Sequence, residues 1–447
     1  MAYDPVLYSR MLTELTFAFH IIFATVGVGI PVMIAFAEWT GMKRNDPYYL
    51  LLARRWTRGY VITVAVGVVT GTAIGLQLSL LWPSFMRVAG QAISLPLFME
   101  TFAFFFEAIF LGIYLYTWDR FRRPVSHFLL LIPVMLGSSA SAFFITTVNA
   151  FMNTPQGFTL KGGSITDIQP LVAMFNPATP TKVAHVLSSA YMTSAFVLAT
   201  IAGAALIKKR DSLYHRKALK LTMIAALVFS ITTALIGDLS GKFLAIYQPE
   251  KLAAAEWHFE TARQVPLVLG GILTQDHQIK FGLKIPFALS ILAHDNPNSV
   301  VQGLNDTPVD ERPPLMVHYL FDSMVTIGIF LMVLSMLSVW MVRKLKSVQY
   351  PRWLLRLIAL SGPLALLGTE LGWFYAEVGR QPWILRGYMK TAHGATTSNQ
   401  VDLMLLLFCI LYVAIGFTLV KVLGRMFINN ELHEELKNRG IEGGPAQ

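Results

Sequence analysis

Nine apolar runs dominate this chain, near residues 15–37, 59–82, 95–118, 128–151, 183–207, 218–239, 315–342, 353–376 and 401–424. An α-helix needs about 20 predominantly apolar residues to cross the hydrocarbon core of a bilayer, and each run supplies them. Only 14% of the residues are charged, against about 25% in soluble domains. The pattern predicts an all-α integral membrane protein with about nine transmembrane helices. The first run is too long for a signal-peptide core and follows Asp4, Arg10 and Glu14; it reads as a retained helix.

A net charge of +10 raises the question of nucleic acid, and the placement of the charge answers it. Basic residues gather in alternate connections: Lys43, Arg44, Arg54, Arg55 and Arg58, then Arg120, Arg122 and Arg123. The pattern continues with Lys208, Lys209, Arg210, Arg216, Lys217 and Lys220, then Arg343, Lys344, Lys346, Arg352 and Arg356, and in the tail Lys421, Arg425, Lys437 and Arg439. These are 23 of the 36 Lys and Arg residues, so the basicity is topological and no nucleic-acid partner is expected. The positive-inside bias puts the N-terminus outside and the C-terminus in the cytoplasm, as an odd number of spans requires. The single cysteine, Cys409, excludes a four-thiolate iron–sulfur cluster, a CxxCH haem attachment and an internal disulfide. Packing is its expected role.

The chain divides into spans one to six (1–239), a long outer connection (240–314), spans seven to nine (315–424) and a cytoplasmic tail (425–447). Loops as long as 240–314 are uncommon without a function. This one holds KLAAAEWHFE, a short amphipathic helix by pattern, and Trp257, Phe259 and Phe281, as a folded cap does and a disordered linker does not. No internal repeat and no Walker or Rossmann glycine pattern is present; GTAIG at 71–75 reads as a small-residue helix contact.

His20, Glu100, Glu107, His185, Met324 and Glu377 lie inside or at the ends of apolar runs, where polar groups are functional hypotheses by default. Threaded through the bilayer, all six are expected in its outer half. Glu100 and Glu107, seven residues apart, share a helix face. His and Met together suit six-coordinate haem iron in electron transfer, and His20 or Glu377 suits an iron with an open face. The plainer readings stand beside these: a histidine bonding two helices, a methionine that merely packs, glutamates reaching interfacial water. Asp238 and Asp402 fit that last description. His127, His215 and His433 are expected in solvent on the basic side.

The residues GWFYAEVGRQPW (Gly372–Trp383) resemble the signature of subunit I of cytochrome bd quinol oxidases. PLFMETFAFFFEAIF (Pro96–Phe110), GSSASAFFITTVNAFMNTP (Gly137–Pro155) and KLAAAEWHFE (Lys251–Glu260) look like further blocks of that family, in its order. The resemblance covers essentially the whole chain. It implies a copper-free terminal oxidase of the bacterial or archaeal cytoplasmic membrane, passing electrons from lipid quinol to O2 and contributing to the proton motive force. It implies a low-spin haem b held by His185 and Met324, and a high-spin haem b and a haem d served by His20 and Glu377, without saying which serves which. Glu100 and Glu107 match paired acids near those haems, Ser141 a proton-path serine, Trp373 an aromatic between haems, and Arg380 a partner for haem propionates. Lys251 and Glu256 match the functional pair of a quinol-binding loop. A second membrane subunit (subunit II) is implied, with a small single-span subunit as a further candidate. The chain departs from some members in a shorter loop and in Asp322, where they carry Arg; that lowers the expected potential of the low-spin haem.

Two rival classes remain at this stage. A proton-coupled transporter also buries Glu and His, but calls for inverted repeats or broken mid-membrane helices. An electron-relaying cytochrome b calls for two bis-His pairs, and only His20 and His185 lie within or at the head of spans.

Overall fold

The computed structural model describes all residues except 1–2, 163, 209–211, 346–349, 430–431, 440 and 442–447. Lys209, Arg210 and Lys346 of the basic connections, and the last part of the tail, lie outside the described residues. Among the described residues nine helices are long and apolar enough to cross a membrane. They are, in order, Pro5–Arg44, Pro47–Leu81, Pro83–Tyr116, Pro124–Asn153, Thr179–Ile207, Leu213–Tyr247, Val317–Lys344, Arg352–Val378 and Val401–Met426, here spans 1 to 9.

Most are longer than the apolar runs that announce them, because polar turns continue the helices past the hydrocarbon. Span 1 begins early because Asp4 caps it, accepting from Val6 N at 2.9 Å with Pro5 in the first turn. It ends at Asn45, left-handed at φ 50°, and Asp46 at once caps span 2 through Tyr48 N at 3.1 Å. A stop and a start two residues apart force antiparallel neighbours. The expected outer connection begins later than drawn: residues 240–247 are the last turns of span 6.

Spans 1 to 4 close a ring in which 1 packs on 2, 2 on 3, 3 on 4 and 4 on 1. Spans 5 to 8 close a second ring in the same way, and span 9 lies against spans 1 and 2. Spans 1 and 4 join the rings by packing on span 5. Without a hydrophobic force between helices in lipid, close approach at small residues supplies the attraction. At Gly29 a methyl would stand 2.3 Å from Ser194 Oγ and 2.4 Å from Ala190 O on span 5. Gly29→Ala is therefore expected to lower stability by about 1–3 kcal/mol through overpacking, seen as a lower melting temperature of the purified protein; an unchanged value would contradict this contact.

A second join sits at Pro363, inside span 8. The Thr200 hydroxyl of span 5 accepts from Gly362 N at 2.8 Å and donates to Ile358 O at 3.0 Å, entering the helix ladder where proline disturbs it.

The connections on the side opposite the basic clusters are folded. Residues 248–316 hold the helix Pro249–Ala255, the helix Ala288–His294 and three short antiparallel ribbons. The connection after span 8 carries one more ribbon, Trp383–Leu385 with Met389–Lys390. Arg386 clasps Glu250 with two bonds of 2.7 and 3.0 Å, and Lys390 meets Asp310 at 2.6 Å, tying these two connections together.

Candidate functional site

In the ring of spans 5 to 8, His185 and Met324 stand on diagonally opposed helices, 5 and 7, each about two turns in from the end facing the folded connections. The two helices between them offer glycines at these points. A methyl on Gly372 of span 8 would lie 2.9 Å from Met324 Sδ, and one on Gly237 of span 6 would lie 3.6 Å from His185 Cε1. His185 Nδ1 is buried with no hydrogen-bond partner among the described residues. Two soft donors from opposed helices, with side chains cleared from the helices between, fit a flat iron-bearing ring better than packing alone.

His20 lies about four turns into span 1, which starts ten residues before its apolar run. Its Nδ1 is 2.8 Å from Thr70 Oγ1 on span 2. The Thr70 hydroxyl gives its hydrogen to Val66 O at 2.9 Å, so it accepts from Nδ1–H and leaves the Nε2 lone pair free for a metal. Gly71 leaves room there, since a methyl on it would come within 3.2 Å of His20 Cε1.

Glu377, at the end of span 8, pairs with Arg380 one turn on and accepts from Asn149 of span 4. Lys182 of span 5 donates to Asn149 Oδ1 at 2.5 Å. Lys251 comes from the outer connection, donating to Ala376 O at 3.0 Å with its ammonium 4.7 Å from the Tyr375 ring centre. Among the described residues Arg380 Nη1 is buried without an acceptor, and a guanidinium donor left so fits an anionic group of a bound cofactor. Beside Glu377 a cavity is lined by Glu14, Glu370, Trp373 and Phe374, and both Glu370 oxygens are buried without a partner among the described residues.

Span 3 carries Glu100 and Glu107. Ser141 of span 4 donates to Glu100 Oε1 at 3.1 Å, and Tyr60 of span 2 donates to Glu107. The two acids share a face yet address different neighbours. Glu107 lies nearer the Tyr116 end of its helix than Pro83, which corrects the expectation that all six groups sit in the outer half.

Lys251 and Glu256 point apart. Glu256 is 1% exposed, accepts weakly from Val268 N at 3.4 Å, and keeps Oε1 without a partner. Burial, with the Asp322 charge nearby, pushes its carboxyl up to about 8, while burial pulls the Lys251 ammonium down to about 7. Tyr375, whose ring lies against the Lys251 ammonium, has its hydroxyl buried and unpartnered among the described residues. Asp322 accepts from Gly270 N at 2.5 Å and faces His318 at 3.3 Å; the His318 ring stacks on Trp257 at 3.8 Å.

Sequence reasoning missed Glu14, Asn149, Lys182, Glu370 and Tyr60, and put His127 in solvent, whereas it is 4% exposed. Its burial follows from stacking on Tyr114 at 4.3 Å and from a bond to Glu38 of span 1. Neither partner is near it in sequence. An intramembrane Lys182 and Glu370 carried the same signal as the residues that were chosen; no motif picked them out.

The chain matches the sequence model of the family "Cytochrome bd terminal oxidase subunit I" over residues 8–431. It is 42% identical over 438 residues to a Bacillus subtilis (strain 168) protein described as subunit I of a cytochrome bd menaquinol oxidase, covering 97% of this chain and 99% of that one. Against subunit 1 of a cytochrome bd ubiquinol oxidase from the same organism it is 30% identical, covering 91% and 90%. A solved structure of bd oxidase from Geobacillus thermodenitrificans superimposes with a TM-score of 0.92 at 66% identity, over 96% of this chain and 99% of that one. Sequence and fold agree, and the chain belongs to the cytochrome bd terminal oxidase subunit I family.

Proposed function

We propose that this chain is the haem-bearing subunit of a quinol:oxygen oxidoreductase, taking electrons from a lipid quinol beside residues 248–316 and reducing O2 to water on the side of Glu377. The observation that carries the reading is the pair His185 and Met324 on opposed helices with glycines between. When bound, haem supplies one-electron transfer and an iron face for oxygen, a low-spin haem b suiting His185 and Met324, a high-spin haem b and a haem d suiting His20 and Glu377.

The protein's part is to hold and move protons. Oxidising a quinol removes two protons, and Glu256 has the free oxygen and the raised affinity of a group that takes one near neutral pH. The Tyr375 hydroxyl, also unpartnered, is suited to orient the quinol head group. Lys251 serves the Glu377 side instead, where it joins Lys182 and Arg380 in neutralising carboxylates. Trp373 lines the cavity beside Glu377. Glu100 with Ser141, and Glu107 with Tyr60, hold protons on the way to the oxygen side. Moving a charge against the membrane potential takes about 2.3 kcal/mol per 100 mV, so these protons need a continuous polar path.

The distribution of basic residues supports an N-terminus outside and a C-terminal tail, from residue 425 on, in the cytoplasm of a bacterial or archaeal cell. Subunit I implies a subunit II beside it; a small single-span subunit is a further proposed partner. Family membership sets aside the cofactor-free transporter. The test is the purified complex: b-type haem bands with a far-red chlorin band, and oxygen consumption that depends on added quinol, are expected. A colourless protein would overturn the reading.

A further inference from the structure

The network around His127 has no part in the foregoing, and it lies on the basic side of the molecule. His127 Nδ1 is 2.9 Å from Glu38 Oε1, and Nε2 is 2.9 Å from the carbonyl oxygen of Tyr114. The carbonyl only accepts, so Nε2 carries a hydrogen, and one further proton is shared between Nδ1 and Oε1. The second oxygen of Glu38 accepts from the Tyr114 hydroxyl at 2.5 Å. Glu38, Tyr114 and His127 are 3%, 0% and 4% exposed, and Trp118 closes the ring edge at 4.7 Å.

This buried proton couple stands in line with the acids of span 3. Tyr114, Glu107 and Glu100 follow one another at seven-residue steps, so they share a stripe about 21 Å long. Thr57 of span 2 reaches the Tyr114 hydroxyl, and Tyr60, one turn further along span 2, donates to Glu107. The neighbouring cations are already matched: Arg54 with Asp119 at 2.9 Å, and Arg55 and Arg58 with Glu435.

We propose that Glu38 and His127 form a proton-loading pair at the basic-side mouth of this stripe, and that the Tyr114 hydroxyl connects the pair to Tyr60 and Glu107. Loading breaks Nδ1–H and forms O–H on Glu38. Unloading turns the Glu38 carboxyl so that this hydrogen meets the Tyr114 oxygen, which takes it as the Tyr114 hydrogen passes to the Thr57 hydroxyl; Thr57 and then Tyr60 each give up a hydrogen as they gain one, and the Tyr60 hydrogen goes to Glu107. The ring regains a proton from water on the basic side, where Phe121, Arg122 and Arg123 are exposed. One proton leaves water and one reaches the Glu107 carboxylate; no electron moves.

The inference rests on the proposed oxidase function, and the experiment separates the two. Steady-state oxygen consumption with added quinol, the solvent isotope effect and the haem spectrum are measured for the complete complex and for Tyr114→Phe and Glu38→Gln. Tyr114→Phe keeps the ring stacked on His127 and removes only the hydroxyl. The expected result is kcat lower by about tenfold, KM and spectrum unchanged, and a larger isotope effect. A positioned proton-transfer group contributes roughly 100-fold or more, and the smaller figure allows for a water in the vacated place. A Tyr114→Phe complex with kcat and isotope effect within a factor of about two of the parent overturns the inference, whatever Glu38→Gln does to assembly. A parent complex that consumes no oxygen with quinol overturns the oxidase reading itself.

Discussion

Replacing Met324 by Leu is expected to abolish the low-spin haem band and to lower quinol-driven oxygen consumption by roughly 100-fold or more. Losing even an outer partner of a metal ligand costs about 10–100-fold in affinity or activity, and a ligand is closer still. The swap conserves volume, which in a packed interior usually costs less than about 1.5 kcal/mol, so span 7 still inserts and the chain still folds. It removes only the sulfur, whose place beside Gly372 leaves no room for a second side chain. The far-red band is expected to persist, because the contacts of His20 with Thr70 and of Glu377 with Asn149 and Arg380 do not involve Met324. A low-spin band of normal position and amplitude in Met324→Leu would end the ligand assignment.

Glu256→Gln is the second large effect. The carboxyl of Glu256 holds its proton up to about pH 8 because it is buried and faces Asp322. A base works only when deprotonated, so kcat/KM for quinol in the parent is expected to rise nearly tenfold per pH unit up to about pH 8 and then to level off. Glutamine fills the same space and cannot take the proton. Quinol oxidation then falls by roughly 100-fold and loses this rise, whereas oxygen reduction fed by an artificial electron donor is spared. Equal loss of both activities, or an unchanged pH profile, would count against Glu256 as the acceptor. The same sign governs stability: a raised carboxyl in the folded chain weakens the fold as pH climbs from the unfolded value near 4.5 through 8.

What could be read from the sequence was whatever depends on neighbours along the chain. The nine spans follow from hydropathy alone, and the seven-residue step from Glu100 to Glu107 places both on one face. The helix Pro249–Ala255 covers only the first half of KLAAAEWHFE, and it is buried from Lys251 to Ala255 where an amphipathic helix was expected. Pairing across helices is a different matter. Periodicity says which face a residue occupies but not which helix receives it, so Tyr60 beside Glu107 and Asn149 beside Glu377 stayed hidden. The family resemblance singled out Glu100 and Ser141 separately, and the hydrogen bond between them appears only in the structure. It also named Lys251 and Glu256 as a functional pair; the short helix ends between the two, and they bond different groups, Ala376 O and Val268 N. His127 was misplaced for a plain reason. Its connection is rich in arginine, and composition cannot see that one imidazole of that segment folds back under Tyr114 and Trp118.

The division into two rings bears on the order in which the protein is made. Spans 5 to 8 and residues 248–316 are continuous in the chain, so everything around His185, Met324 and Glu256 arrives together from one stretch of nascent polypeptide. The surroundings of Glu377 are assembled instead from span 1, span 4, span 5 and the end of span 8. As the ribosome advances, that pocket has most of its walls standing long before Glu377 and Arg380 leave the exit tunnel.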